Sequence, residues 1–81
     1  MREQISYAYV DLSDAKQFGE GIRRFRKQRG LTQQQLADKA HCSIMYVSQL
    51  ERGKETAELG KALNILKVLE VEVSFTDKHG K

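Results

Sequence analysis

Cysteine is nearly missing: Cys42 is the single thiol in a chain of 81 residues. One thiol closes no intrachain disulfide, and no Cys/His cluster at zinc-ligand spacing accompanies it, so no metal or other cofactor is expected. No apolar run approaches the roughly 18 residues a membrane helix requires. The N-terminus lacks the basic-then-apolar pattern of a secretory leader, which makes the cytoplasm the expected location. There is no internal repeat, low-complexity segment, interdomain linker or glycine-rich phosphate loop, and no pair of carboxylates spaced for acid–base work. What is present, 40% hydrophobic and 31% charged residues, is the composition of one small globular domain. Such a domain buries a thin core and usually needs a staple or a partner, so an oligomer is expected.

The net charge is +3, and its placement is uneven. Lys16, Arg23, Arg24, Arg26, Lys27 and Arg29 face a single acid, Glu20, whereas the C-terminal half is close to balanced. A clustered basic face is an electrostatic footprint for phosphate, though a solvated helix face has the same composition.

Hydrophobic periodicity divides the chain. Ile5, Tyr7 and Tyr9 alternate with polar or small residues, as in a strand or a loose arm. Ser13 is the expected N-cap of a first helix, with Asp14 in its first turn and Phe18, Ile22 and Phe25 as its apolar stripe. Gly19 and Gly21 each cost that helix roughly 1 kcal/mol against alanine, and Gly30 stops it. Thr32 and Gln35 have capping-box spacing at the start of a short second helix whose apolar face is Leu36, Ala37 and Ala40. Ser43 caps a third, with Ile44, Val47 and Leu50 on one side, and Gly53 ends it. Thr56 is the expected cap of a fourth. Along it Leu59, Leu63, Leu66 and Leu69 line one side with Ala62, and Ile65 and Val68 form a second flank for a partner subunit. Gly60 within it is expected to allow close backbone approach. Val71, Val73 and Phe75 then alternate with Glu72, Ser74 and Thr76 as a half-buried strand. Its open edge needs a mate, either the Ile5–Tyr9 segment or the same strand of a second copy.

Two short helices joined by a three- or four-residue turn make a helix-turn-helix. Ala37 stands where the helices cross, Leu36, Val47 and Leu50 anchor them, and the outer side of the third helix is free to enter a major groove. The run R-x-x-R-K-Q-R-G-L-T-Q-Q-Q-L-A followed by S-x-x-x-V-S-Q-L-E-R-G-K resembles the Cro/repressor-type (XRE-family) helix-turn-helix domains over about residues 18–69. The continuation R-G-K-E-T-A-E-L-G-K-A-L-N-I-L-K-V-L-E-V-E-V-S-F is similar to the HipB-like branch. The resemblance implies a mainly α, lambda-repressor-like domain of four helices, with a C-terminal β-strand pairing across a dimer two-fold. The layout is then an N-terminal arm or short strand at 1–12, the helix-turn-helix domain at 13–70, the dimerisation strand at 71–76 and a polar tail at 77–81. The chain departs from the family pattern at His41, a turn position often held by Gly, which either loosens the turn or adopts a positive φ. It departs again at Cys42, and at Ile44 and Met45, where polar or basic residues are common.

Base-edge contact falls to Ile44, Met45, Ser48 and Gln49. Gln49 can pair with adenine through its amide, and Ile44 and Met45 can pack on thymine methyls or, alternatively, belong to the core or a partner contact. Ser43 can be cap and phosphate contact at once. Phosphate contact is also expected from Gln33, by resemblance, and from Tyr46, Arg52 and Lys54. Arg23, Arg26 and Lys27 add long-range attraction, and Glu51 pairs with Arg52 or a first-helix arginine. The dimer interface is expected at Ile65, Val68, Val71, Val73 and Phe75. Cys42 reads as a small buried hydrophobe.

The resemblance implies a DNA-binding repressor, the antitoxin of a toxin–antitoxin operon that autoregulates its promoter. Its expected partners are double-stranded DNA carrying an inverted repeat, a second copy of itself and a HipA-like serine/threonine kinase toxin, with no membrane and no enzymatic activity of its own. The alternatives are a stand-alone regulator without a toxin, and a protein-interaction adaptor that has lost DNA binding, the latter motivated by Ile44 and Met45.

Overall fold

The computed structural model describes residues 14–75 and 77–79. The segment read as an arm or short strand, with Ile5, Tyr7 and Tyr9, lies outside the described residues, as does Thr76. Four helices follow one another: α1 (Ala15–Gln28), α2 (Gln33–Ala40), α3 (Ile44–Glu51) and α4 (Leu59–Leu69).

Local chemistry sets most of the boundaries. The Thr32 hydroxyl accepts from the Gln35 N–H at 3.0 Å and the Gln35 side-chain Oε1 accepts from the Thr32 N–H at 2.9 Å, which completes the capping box of α2. Ser43 caps α3 by accepting from the Tyr46 N–H at 3.0 Å. Two expected caps are corrected. Asp14, one residue after Ser13, caps α1 by accepting from Gln17 N–H at 2.8 Å. Thr56 does not cap α4: the helix starts after Glu58, which makes no side-chain cap.

All four helices end on a left-handed residue: Gly30, His41, Gly53 and Glu70, with φ of 71°, 58°, 89° and 61°. Each is followed by an N–H that reaches back to the last turn, Leu31 to Arg26, Cys42 to Ala37, Lys54 to Gln49 and Val71 to Leu66, at 3.0–3.1 Å. These closures satisfy carbonyls the helix leaves open. His41 therefore takes the positive φ that the turn between α2 and α3 demands, and the turn is as tight as a glycine would make it.

Ile22, Leu36, Ala37, Ala40, Val47, Leu50, Ala62, Ile65, Leu66 and Leu69 form one core, with Phe18, Phe25 and Val68 packed against it. The phase of α4 differs from the expected one. Ile65 is fully buried in its own chain, 0% exposed, and so is withdrawn from any partner, whereas Leu59 and Leu63 face outward. The residues at 62, 65, 66 and 69 share one side of a 3.6-residue helix, and that side faces the other three helices. Gly60 is exposed, and a Cβ there would meet only the Glu58 carboxylate, at 3.7 Å, so no close approach depends on it.

The close approach is at Gly19 instead. A Cβ on Gly19 would press into the Leu50 carbonyl oxygen and stand 2.7 Å from that of Glu51, so the end of α3 lies directly on α1. Helix propensity alone would make Gly19→Ala stabilising by about 1 kcal/mol. We expect the opposite sign, a loss of about 2 kcal/mol, because backbone must move. Chemical denaturation of the two proteins checks this.

Among the described residues no strand forms. Of the two mates expected for Val71–Phe75, the Ile5–Tyr9 segment lies outside the described residues and the other is a second copy of the chain. Among the described residues, no helix is long and apolar enough to cross a membrane.

Candidate nucleic-acid interface

The turn at His41 and Cys42 sets α3 across α2 with Ala37 and Val47 fully buried at the crossing. That burial turns the other side of α3 outward. Ile44 and Met45 are 43% and 59% exposed, so neither belongs to the core of this chain. Ser48 and Gln49, one turn further along, are half-buried. Ser43 is exposed at the N-terminal end of the helix, beside N–H groups that carry partial positive charge.

The basic residues after α3 fold back onto it. Arg52 donates through Nη2 to the Ser48 hydroxyl at 3.1 Å, and Lys54 donates through Nζ to the Gln49 side-chain oxygen at 3.2 Å. Both cations are exposed, so one surface combines two amphipathic polar side chains, two apolar ones and two positive charges. It can offer hydrogen-bond donors and apolar contact to base edges, and cations to the flanking phosphates.

An ion pair under this surface fixes its position. The Arg26 guanidinium grips Glu51 with two bonds, Nε to Oε2 at 2.6 Å and Nη2 to Oε1 at 3.1 Å, and its Nη1 donates to the Leu31 carbonyl at 2.9 Å. Gln33 adds a third donor to Glu51, from Nε2 to Oε1 at 3.0 Å. Arg26 and Glu51 are both buried. The network joins α1, the start of α2 and the last residue of α3, and no buried side-chain polar atom among the described residues is left without a partner. Of the first-helix arginines open to Glu51, Arg26 is the partner. Arg26 is thereby lost as a source of long-range attraction, while Arg23, Arg24 and Lys27 remain exposed on the outer side of α1. Gln33 is held by Glu51 and supports α3 from within.

Tyr46 also differs from its expected phosphate role. Its hydroxyl donates to the Glu58 carbonyl at 2.5 Å, which commits its proton and ties α3 to the start of α4. Lys61 lies over its ring, 5.5 Å from the centroid. Burial, reinforced by Cys42 and Glu58, pushes the Tyr46 phenol above its usual range. Burial likewise pushes the Cys42 thiol up against the opposing pull of Lys61, which keeps it in the unreactive thiol form. Cys42 is half-buried and packed on the core rather than fully enclosed. No cluster of His, Cys, Asp or Glu able to hold a metal ion occurs among the described residues.

The Arg26–Glu51–Gln33 network is the feature that sequence patterning reveals least, because its partners stand 25 residues apart. Its only local sign is a glutamate closing an otherwise apolar helix face. The surface expectation at Val73 and Phe75 does find exposed side chains, Phe75 at 96%. Val68 and Val71 are partly covered by their own core.

The fold recurs in known proteins. The chain is 39% identical over 51 residues to y4mF, an uncharacterised HTH-type transcriptional regulator of Sinorhizobium fredii, covering 63% of this chain and 67% of that protein. Two solved structures, a HipB-O4 20mer complex and a HipA-HipB-O2-O3 complex, each match with a TM-score of 0.78 at 24% identity, covering 86% of this chain and 99% of the other. The restriction-modification controller protein C.AhdI from Aeromonas hydrophila matches with a TM-score of 0.68 at 32% identity, covering 74% of this chain and 87% of that one. Residues 22–75, two thirds of the sequence, match the helix-turn-helix family HTH_3, and the chain belongs to that XRE-type family of DNA-binding transcriptional regulators.

Proposed function

We propose that this protein is a sequence-specific repressor acting as a homodimer on an inverted-repeat operator, and that it is the HipB-like antitoxin of an operon encoding a HipA-like serine/threonine kinase. The observation that carries the DNA reading is the outward face of α3. Ile44, Met45, Ser48 and Gln49 stand on it, between the exposed cap Ser43 and the cations Arg52 and Lys54. Base contact comes from the first four, and phosphate contact from Ser43, Arg52 and Lys54, with Gln33 keeping a second amide N–H for a phosphate beside the one it gives Glu51. Two copies joined along Val71, Val73 and Phe75, beside Val68, would set their α3 helices in successive major grooves about 34 Å apart. The exposed Leu59 and Leu63 extend the apolar surface available to that contact or to a toxin.

The antitoxin assignment is supported by the likeness to HipB structures, one of them holding HipA. A stand-alone regulator is favoured by the higher identities to y4mF and C.AhdI. Co-purification separates the two: a kinase retained by the tagged protein from its own host supports the first, and its absence when the neighbouring gene is expressed supports the second. The exposed Ile44 and Met45 keep the adaptor reading in play, and it predicts weak binding blind to sequence.

A reporter fused to the upstream region tests repression. Gln49→Ala removes one base contact in each half-site, and operator affinity is expected to fall about tenfold or more. The reporter should be derepressed while protein level and melting temperature hold. Repression unaffected by Gln49→Ala would remove this residue from the readout.

A further inference from the structure

Both polar side chains on the reading face of α3 already accept one hydrogen bond from a cation, which engages one of the two lone pairs on each oxygen. Ser48 Oγ accepts a hydrogen bond from Arg52 at 3.1 Å, and Gln49 Oε1 accepts one from Lys54 at 3.2 Å. A serine hydroxyl whose oxygen accepts from a guanidinium turns its own O–H away from that donor. A glutamine amide whose oxygen is held by an ammonium presents its NH2 group to whatever approaches. Each cation keeps further N–H groups beyond the one it spends, since Arg carries five donors and Lys three.

We infer that Arg52 and Lys54 are specificity-determining residues. They polarise the face of α3 so that Ser48 and Gln49 act as hydrogen-bond donors and select guanine. The inference deepens the operator-binding reading above and rests on it. Guanine is the base that presents two acceptors, N7 and O6, and no donor in the major groove, whereas adenine presents N6–H2 and cytosine N4–H2. An unrestrained glutamine matches adenine, accepting from N6–H2 while donating to N7. With one lone pair of its oxygen engaged by Lys54, Gln49 turns its NH2 toward N7 and O6, and an adenine amino group has to share that oxygen with the ammonium and meets its like charge. Ile44 and Met45 complete the face with apolar contact suited to the thymine methyl. The preferred half-site is therefore rich in guanine and thymine where α3 lies, and Lys54 is a positioning residue for Gln49 as well as a phosphate contact.

The inference separates two effects that a simple phosphate role would merge. Loss of a phosphate contact weakens all sequences alike. Loss of the restraint on Gln49 changes which base is preferred. The test is selection from a randomised duplex library with the full chain, comparing wild type, Gln49→Ala, Lys54→Met and Lys54→Arg, with melting temperatures to confirm folding. Gln49→Ala identifies the base pair that Gln49 reads. At that pair, wild type and Lys54→Arg should select guanine over adenine by about fivefold or more. Lys54→Met should erase or reverse that preference, while the Ile44 and Met45 positions keep theirs. Adenine at that pair in wild type overturns the inference, as does a Lys54→Met protein that binds more weakly with an unchanged base profile. Failure of the wild type to enrich any sequence would instead overturn the operator-binding reading on which it rests.

Discussion

Glu51→Ala should remove a large share of the stability of this fold. The substitution leaves the Arg26 guanidinium buried against α3 with only the Leu31 carbonyl as partner. Removing one member of a buried pair typically costs about 3–5 kcal/mol, chiefly because the other charge stays desolvated. At roughly 0.05–0.15 kcal/mol per residue, a chain of this length holds about 4–12 kcal/mol in all. The melting temperature should fall by about 15 °C or more, given about 4–8 °C per kcal/mol for a domain of this size. A control sharpens the expectation. Arg26→Met combined with Glu51→Leu replaces both charges by apolar volume and should cost less than Glu51→Ala alone. A double substitution as damaging as the single one would mean that the pair contributes net attraction rather than a satisfied burial. Gln33 loses its acceptor in either variant, so the two differ in the buried charge and not in that bond.

If the chain pairs as proposed, Phe75→Asp should give monomers and reduce operator affinity about a hundredfold or more. Phe75 is almost wholly exposed and Val73 is half-exposed, so neither stabilises the core of its own chain. Covering a phenylalanine contributes about 1.5–3 kcal/mol, and a two-fold dimer gains it twice. A carboxylate at the same place would have to be desolvated against its own copy. The DNA penalty follows from the loss of tethering, since two linked half-site contacts gain about 10²–10⁴ over one. Light scattering should report a halved mass, with the thermal stability of the helical domain little changed at low concentration. Val73→Asp should behave alike. An unchanged dimer mass for both would place the interface elsewhere, with Leu59 and Leu63 of α4 the next surface to test.

What the sequence discloses and what it withholds divide along physical lines. The capping box at Thr32 and Gln35, the cap at Ser43 and the stops at Gly30 and Gly53 are short-range chemistry, and each is where the local pattern puts it. Ser13 and Asp14 are adjacent residues that satisfy the same capping rule, so local chemistry does not rank them. Thr56 is passed over: α4 begins after Glu58, whose carbonyl accepts both the Ala62 N–H and the Tyr46 hydroxyl, a bond that joins α3 to α4 and that no local pattern shows. Periodicity shows that α4 has an apolar face but not how that face is turned, which is why Ile65 rather than Leu63 is covered. Gly19 reads as a helix defect until α3 is laid on it. The outward residues of α3 were legible because the helix-turn-helix spacing leaves them no other side. Their polarity was not, since it depends on Arg52 and Lys54 turning back across the end of the helix.

The measurement closest to the central claim is fluorescence anisotropy with a duplex from upstream of the protein's own gene, titrated over a salt series against scrambled competitor. A sequence-specific repressor should bind tightly, resist the competitor, weaken in Gln49→Ala and lose affinity steeply with salt, by a slope of about 0.9 for each phosphate neutralised. Weak binding, equal for native and scrambled duplexes and indifferent to Gln49, would contradict it.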